Sequence, residues 1–373
     1  MEIAIVKKNE VLLIFCILMF GCNDSNNKIE KITVDYRNTV ELELRRDIIF
    51  YNSDTMTIGF IHDFEIFNNR FYLTDYTDCK IHVFDTNMTH IKNSLGKGFG
   101  PGEFPSPPFL TKGPNSLFVY SVGKIGLQLV DSNFNTINTI ESKSGFIENF
   151  AMDPLITENY IVANMYSIYP AVGINKGDIS TAAILDISGK LKKAICFFDK
   201  EYEENSEFAY FAEHIEVFIS NCFNNTALIF QSATTNFHQY NYEGDYLKTF
   251  NYVPRFYKVP AGISSSQIGQ YNSLEEYYDK YCTKVTTFRK ISFDQKNDLV
   301  LINYCTVKKE RIYSKSWLDA ENYLCIINSN YECIFDGIIN GYLLGVNNRR
   351  IYVLVEESEE KIVINEYIIK RKQ

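Results

Sequence analysis

The sequence predicts an all-β fold: a six-bladed β-propeller of four-stranded antiparallel blades with one short helical insertion. Three observations lead there. A strand–turn–strand unit recurs down the chain in six copies, five of them leading to a turn that opens on Asp or Asn. Aromatic residues make up 15%, with 26 Tyr and 28 Phe against a single Trp, a balance that suits half-buried pleated surfaces. One stretch of the folded part carries apolar residues at helical spacing.

The chain has 373 residues, longer than a usual single-core domain, so an all-β domain of this size has to be modular. Hydrophobic residues (46%) supply a core, and the charged fraction (22%) argues against disorder. The net charge of −9 and the lack of a long basic run exclude nucleic acid as a partner. Lys370-Arg371-Lys372 is a solvated chain end.

Residues 1–21 read as an export signal. Lys7 and Lys8 precede an apolar run, Val11 to Phe20, too short to span a bilayer. Gly21-Cys22 then resembles the lipobox of bacterial lipoproteins, although Met19 stands where that motif usually has Leu. The resemblance implies an acylated Cys22 and with it an outer-membrane or cell-surface location. The polar residues that follow read as a tether over 22–30, and 31–373 as the propeller. A plain secretion signal is the alternative. Seven of the nine cysteines remain for the fold, with irregular spacing and no C-x-x-C pair. They form neither a disulfide framework nor a zinc motif, and read as small buried hydrophobes.

Ile32, Val34, Val40, Leu42 and Leu44 alternate with polar residues, as in strands with one buried face. This segment is assigned to completing the last blade and closing the ring. The fullest repeat runs from Phe71 to Phe104. Strands flank Asn68-Asn69, Asp75 to Asp78 is polar, Ile81 to Phe84 is a strand ending at Asp85-Thr86-Asn87, and Ile91 to Leu95 returns. A glycine-rich corner follows: Gly96, Gly98, Gly100 and Gly102 alternate through GKGFGPGEF. This stretch resembles the NHL-type propeller repeat, with Asp78-Cys79 in place of the Asn-His pair. It looks like the six-bladed propeller lipoproteins of Gram-negative anaerobes. In the corner, Gly98, Gly100 and Gly102 permit close backbone approach, and Pro101 stops the strand. Glu103 accepts bonds from loop N–H groups and Phe104 wedges between neighbouring sheets. Neither phosphate-binding glycine motif is present.

Later copies lead to turns at Asp131-Ser132-Asn133, Asp186-Ile187-Ser188-Gly189, Asn241-Tyr242-Glu243-Gly244 and Asn328-Ser329-Asn330. Arg350 to Val355 and Ile362 to Tyr367 close the chain, for six copies. The widest gap holds the helical stretch, in which Ser273 and Glu276 form a capping box. Leu274, Tyr277, Tyr278 and Tyr281 give it an apolar stripe. It is read as packing against the propeller, with a lid as the alternative.

Catalytic signals are weak. The five His form no close pair, and no G-x-S-x-G elbow exists. No catalytic residue, metal ligand or cofactor is implied. Asp54-Thr55-Met56 resembles a short O-glycosylation acceptor. The favoured function is a non-catalytic binding face for a glycan, a peptide or a partner envelope protein. Loop aromatics Tyr166, Tyr169, Tyr210, Phe211 and Trp317 are its candidate contacts. The alternative is a propeller enzyme of the lactonase or lyase kind with a metal in the central channel.

Overall fold

The computed structural model describes residues 31–52, 57–141, 154–164, 180–200, 216–259, 273–311 and 316–372. They form a six-bladed β-propeller of four-stranded antiparallel blades, with little helix. Blade 1 comprises Ile61–Phe67, Arg70–Asp75, Ile81–Phe84 and His90–Asn93. Blade 2 comprises Phe109–Lys112, Leu117–Tyr120, Leu127–Val130 and Thr136–Ile140; blade 3, Leu155–Ile156, Tyr160–Asn164, Ser180–Asp186 and Leu191–Phe197. Blade 4 comprises Val217–Cys222, Thr226–Gln231, Asn236–Tyr240 and Tyr246–Asn251; blade 5, Thr287–Asp294, Leu299–Val307, Ala320–Asn328 and Glu332–Ile339. Blade 6 takes Tyr342–Asn347, Arg350–Glu357 and Lys361–Arg371 from the end of the chain. Its outermost strand is Val40–Tyr51, from the beginning.

That N-terminal closure removes the open edge a ring of consecutive blades would leave. The expected closing segment divides its work, however. Val40, Leu42 and Leu44 join blade 6 as expected. Lys31–Thr33 instead adds a parallel fifth strand to blade 4, and Asp35–Tyr36 does the same on blade 5. The chain therefore straps three successive blades before the first full repeat begins.

The apolar patterns of the strands follow from blade stacking. Six clusters of buried residues fill the six seams between neighbouring blades. A middle strand is covered on both faces, so it reads as a continuous apolar run. Leu299–Val307 is buried at all nine positions. The seven cysteines of the described residues are buried.

Antiparallel alternation sorts the connections onto two faces. Turns between first and second strands, and between third and fourth, lie on one face, here the turn face. Links between second and third strands, and from blade to blade, lie on the other. The five third-to-fourth turns share one design. Asp85, Asp131, Asp186, Asn241 and Asn328 each open a turn, and each accepts from the backbone N–H four residues on. The fourth residue is left-handed in every case: Met88, Phe134, Gly189, Gly244 and Tyr331. A register shift precedes each turn, giving the bulged hairpin that matches strand twist.

The helical insertion, Leu274–Lys280, lies between blades 4 and 5, which leaves blade 5 a single blade. The Ser273 hydroxyl accepts the Glu276 N–H at 3.1 Å, the cap its sequence encodes. Tyr281, at its end, is buried with Cys282, Val285 and Cys305.

Candidate functional site

The innermost strands of all six blades contribute to a central channel, which narrows to a cavity of about 110 Å³. Its wall carries charge of both signs, arranged in pairs. Lys290 of blade 5 reaches across to Asp63 of blade 1 at 3.4 Å. Lys112 of blade 2 meets Glu65 of blade 1 at 3.0 Å. The other Asp63 oxygen accepts the Leu110 N–H at 2.7 Å, so this buried carboxylate ties three blades together. Among the described residues, no three His, Cys, Asp or Glu side chains gather within reach of one ion.

Above this constriction, on the face opposite the turns, the channel opens into a pocket of about 810 Å³. Blades 1, 5 and 6 and the link from blade 1 to blade 2 supply its wall, and Asp63 and Lys290 form its floor. Aromatic side chains surround a small polar group. Glu357, at the end of a blade 6 strand, accepts the Ile61 N–H at 2.8 Å and the Ser316 hydroxyl at 3.3 Å. Burial pushes its carboxyl above the ordinary value despite these two bonds. His62 packs edge-on against Phe109, 4.3 Å between ring centres, with Tyr76 nearby.

Trp317 is the one expected contact aromatic that falls within the described residues, and it does line this pocket. Its ring is not a free platform. The Arg289 guanidinium lies 3.9 Å and that of Arg311 3.3 Å from the ring centre, and Tyr342 stacks at 6.1 Å. The ring is held between cations, an arrangement that fixes the pocket wall. Tyr166, Tyr169, Tyr210 and Phe211 lie outside the described residues. So do Cys22 and Asp54-Thr55-Met56.

The glycine corner sits in the link from blade 1 to blade 2, beside the same pocket. Gly96–Lys97 pairs with Glu103–Phe104 in a two-residue parallel ladder. Glu103 folds back to accept the Gly100 N–H at 2.8 Å. A Cβ at Gly98 would stand 2.1 Å from its Oε2, so a larger residue there would make this carboxylate move. Phe104 is fully buried in the seam between blades 1 and 2. Lys97, Pro105, Ser106 and Pro107 extend from the corner into the pocket wall.

Sequence reasoning missed Asp63, Lys290, Tyr342 and Glu357. Each sits in an ordinary strand pattern, and the ring brings together residues as distant as positions 63 and 290. The histidines form no motif, yet His238, in the third strand of blade 4, makes a tie of its own. Its ring bridges Thr249 at 2.8 Å and Asp199 at 2.9 Å, tying the exit of blade 3 to blade 4.

No family model matches the chain, and no curated protein matches it. Solved structures do. A member of the DUF4221 family from Bacteroides vulgatus superposes with a TM-score of 0.69 at 15% identity, covering 90% of this chain and 99% of that one. A Bacteroides fragilis protein whose name describes it as exported gives 0.60 at 10% identity, covering 92% and 99%. Virginiamycin B lyase from Staphylococcus aureus reaches only 0.43 at 11% identity, covering 88% and 99%, too weak a likeness to bear on activity. The chain has the fold of the first two. No helix among the described residues is long and apolar enough to cross a membrane.

Proposed function

We propose that this chain is a cell-envelope lipoprotein, anchored through Cys22, whose propeller binds a glycan, a peptide or a partner envelope protein at the channel mouth. The observation that carries this reading is the pocket itself, whose size suits a small ligand or one residue of a larger one. Aromatic walls and a few fixed polar groups are what such a site needs for burial and orientation. Its fixed polar groups are Glu357, Ser316 and the Asp63–Lys290 pair. The pairing of Asp63 with Lys290 and of Glu65 with Lys112 supports binding over metal-dependent hydrolysis. A cation at either pair would have to displace the lysine from its carboxylate. The Bacteroides fragilis neighbour supports export.

The test is a thermal-shift screen of the purified chain against an oligosaccharide array and a tripeptide library. A hit should raise the melting temperature of the parent protein. The same hit should have no effect on a Tyr342→Ala, Lys290→Ala double variant that still folds. A hit that stabilises parent and variant equally would place binding elsewhere.

A further inference from the structure

We propose that Cys325 and Cys333 are a modification site: they join in an intramolecular disulfide that staples the outer hairpin of blade 5. The two residues lie on adjacent antiparallel strands, on either side of the turn opened by Asn328. The register shift between Ile326 and Ile327 sets Cys333 diagonally across from Cys325. Their sulfurs are 3.5 Å apart, and both residues are fully buried. A disulfide of about 2.05 Å needs the sulfurs to close by roughly 1.5 Å, a movement within reach of small side-chain rotations.

The surroundings favour the oxidised form once it exists. The pair lies in the seam between blades 4 and 5, among Tyr252, Tyr304 and Cys222. A thiol is a weak hydrogen-bond donor there, and Cys333 spends its own on the Phe335 carbonyl at 3.1 Å. Burial pushes the Cys325 thiol well up, and the neighbouring Cys333 adds to the shift. Thiolate is therefore scarce in the folded protein, so the bond forms while the hairpin is still open. The oxidant is a low-molecular-weight or enzyme disulfide. One cysteine thiolate attacks it, its S–S bond breaks, and one thiolate leaves. The second cysteine thiolate then attacks the mixed disulfide and expels the other thiolate. The two protons lost by the cysteines end on the two released thiols, and the two electrons reduce the oxidant. The closed seam afterwards keeps reductants out. Cys333 stands opposite Tyr36 of the N-terminal strap, so the staple fixes the strand on which the strap lies.

Cleavage after Lys315 and Arg349 releases both cysteines in one tryptic peptide, Ser316 to Arg349, with no other cysteine. The full chain is unfolded and refolded in a glutathione redox buffer, then unfolded again, alkylated, digested and weighed. The same treatment is applied to chain exported into an oxidising envelope. The expected peptide is lighter by two hydrogens and carries no alkyl group, whereas prior reduction adds two. Cys79 and Cys196 should be alkylated throughout. The oxidised protein should melt at a higher temperature than the reduced one. Alkylation of both cysteines in folded protein from both sources, or a single glutathione on one of them, would overturn the proposal.

Discussion

The two faces of this propeller are built on different terms. On the turn face, five turns repeat one hydrogen-bond pattern and one left-handed position. On the mouth face the connections differ from blade to blade, and there the structure places the large pocket and the glycine corner. The comparison teaches where constraint lies. The turn face closes the outer hairpins of five blades, so its residues are chosen by local backbone chemistry. The mouth is released from that demand, because a link of almost any length can join one blade to the next. Substitutions on the two faces should then separate into effects on stability and effects on binding.

The largest expected effect is on the turn face. Phe134 occupies a left-handed turn position yet is buried in the seam between blades 1 and 2. Phe134→Ala should cost about 3 kcal/mol in urea unfolding through the lost packing. Ring closure comes next. Glu366 is fully buried, and Arg45 at 2.6 Å and Arg46 at 2.5 Å reach it from the N-terminal strand. Burial acts to raise this carboxyl, but the two guanidinium bonds outweigh it and leave it below the ordinary value. A depressed carboxyl stabilises the fold above its unfolded value, and that contribution is lost as pH falls through the folded value. Glu366→Gln should cost about 2 kcal/mol at neutral pH and flatten the acid limb of a melting-temperature profile.

These regions also show what the sequence could convey. The turns were legible because Asp or Asn followed by polar residues is a local chemical demand, written within five positions. The capping box at Ser273 was legible for the same reason. The destination of Ile32 and Val34 was not. Alternation reports that a face is buried, but not which sheet buries it, and these residues serve blades 4 and 5 rather than blade 6. The pocket was not legible either. The Asp63–Lys290 pair joins the first blade to the fifth, and no window of sequence contains both. Trp317 could be singled out as a loop aromatic, but its two covering arginines come from separate segments.

Smaller effects sharpen the contrast. Asn328 accepts the N–H groups of Asn330 and Glu332, each at 3.0 Å. Asn328→Ala should lower stability by about 1 kcal/mol in the same urea measurement and leave ligand affinity unchanged. Glu357→Gln, in the mouth, keeps the shape and an acceptor for Ile61, so its cost at neutral pH should stay under about 0.5 kcal/mol. A raised carboxyl has the opposite sign to Glu366. Its stabilising share is present below the unfolded value and is lost as pH rises through the folded value. Glu357→Gln should remove that decline and abolish any pH dependence of binding in the same range.

The most direct test of this division measures ligand-induced melting shifts for the parent, Asn328→Ala and the Tyr342→Ala, Lys290→Ala pair, against one hit from the oligosaccharide and tripeptide screen. Division of labour between the faces predicts that the turn variant melts lower but keeps the parent's full shift. It predicts that the mouth variant, which also loses the stability of the Lys290–Asp63 pair, stays folded and shows no shift. A mouth variant that retains the shift, or a turn variant that loses it, would contradict the assignment of binding to the mouth.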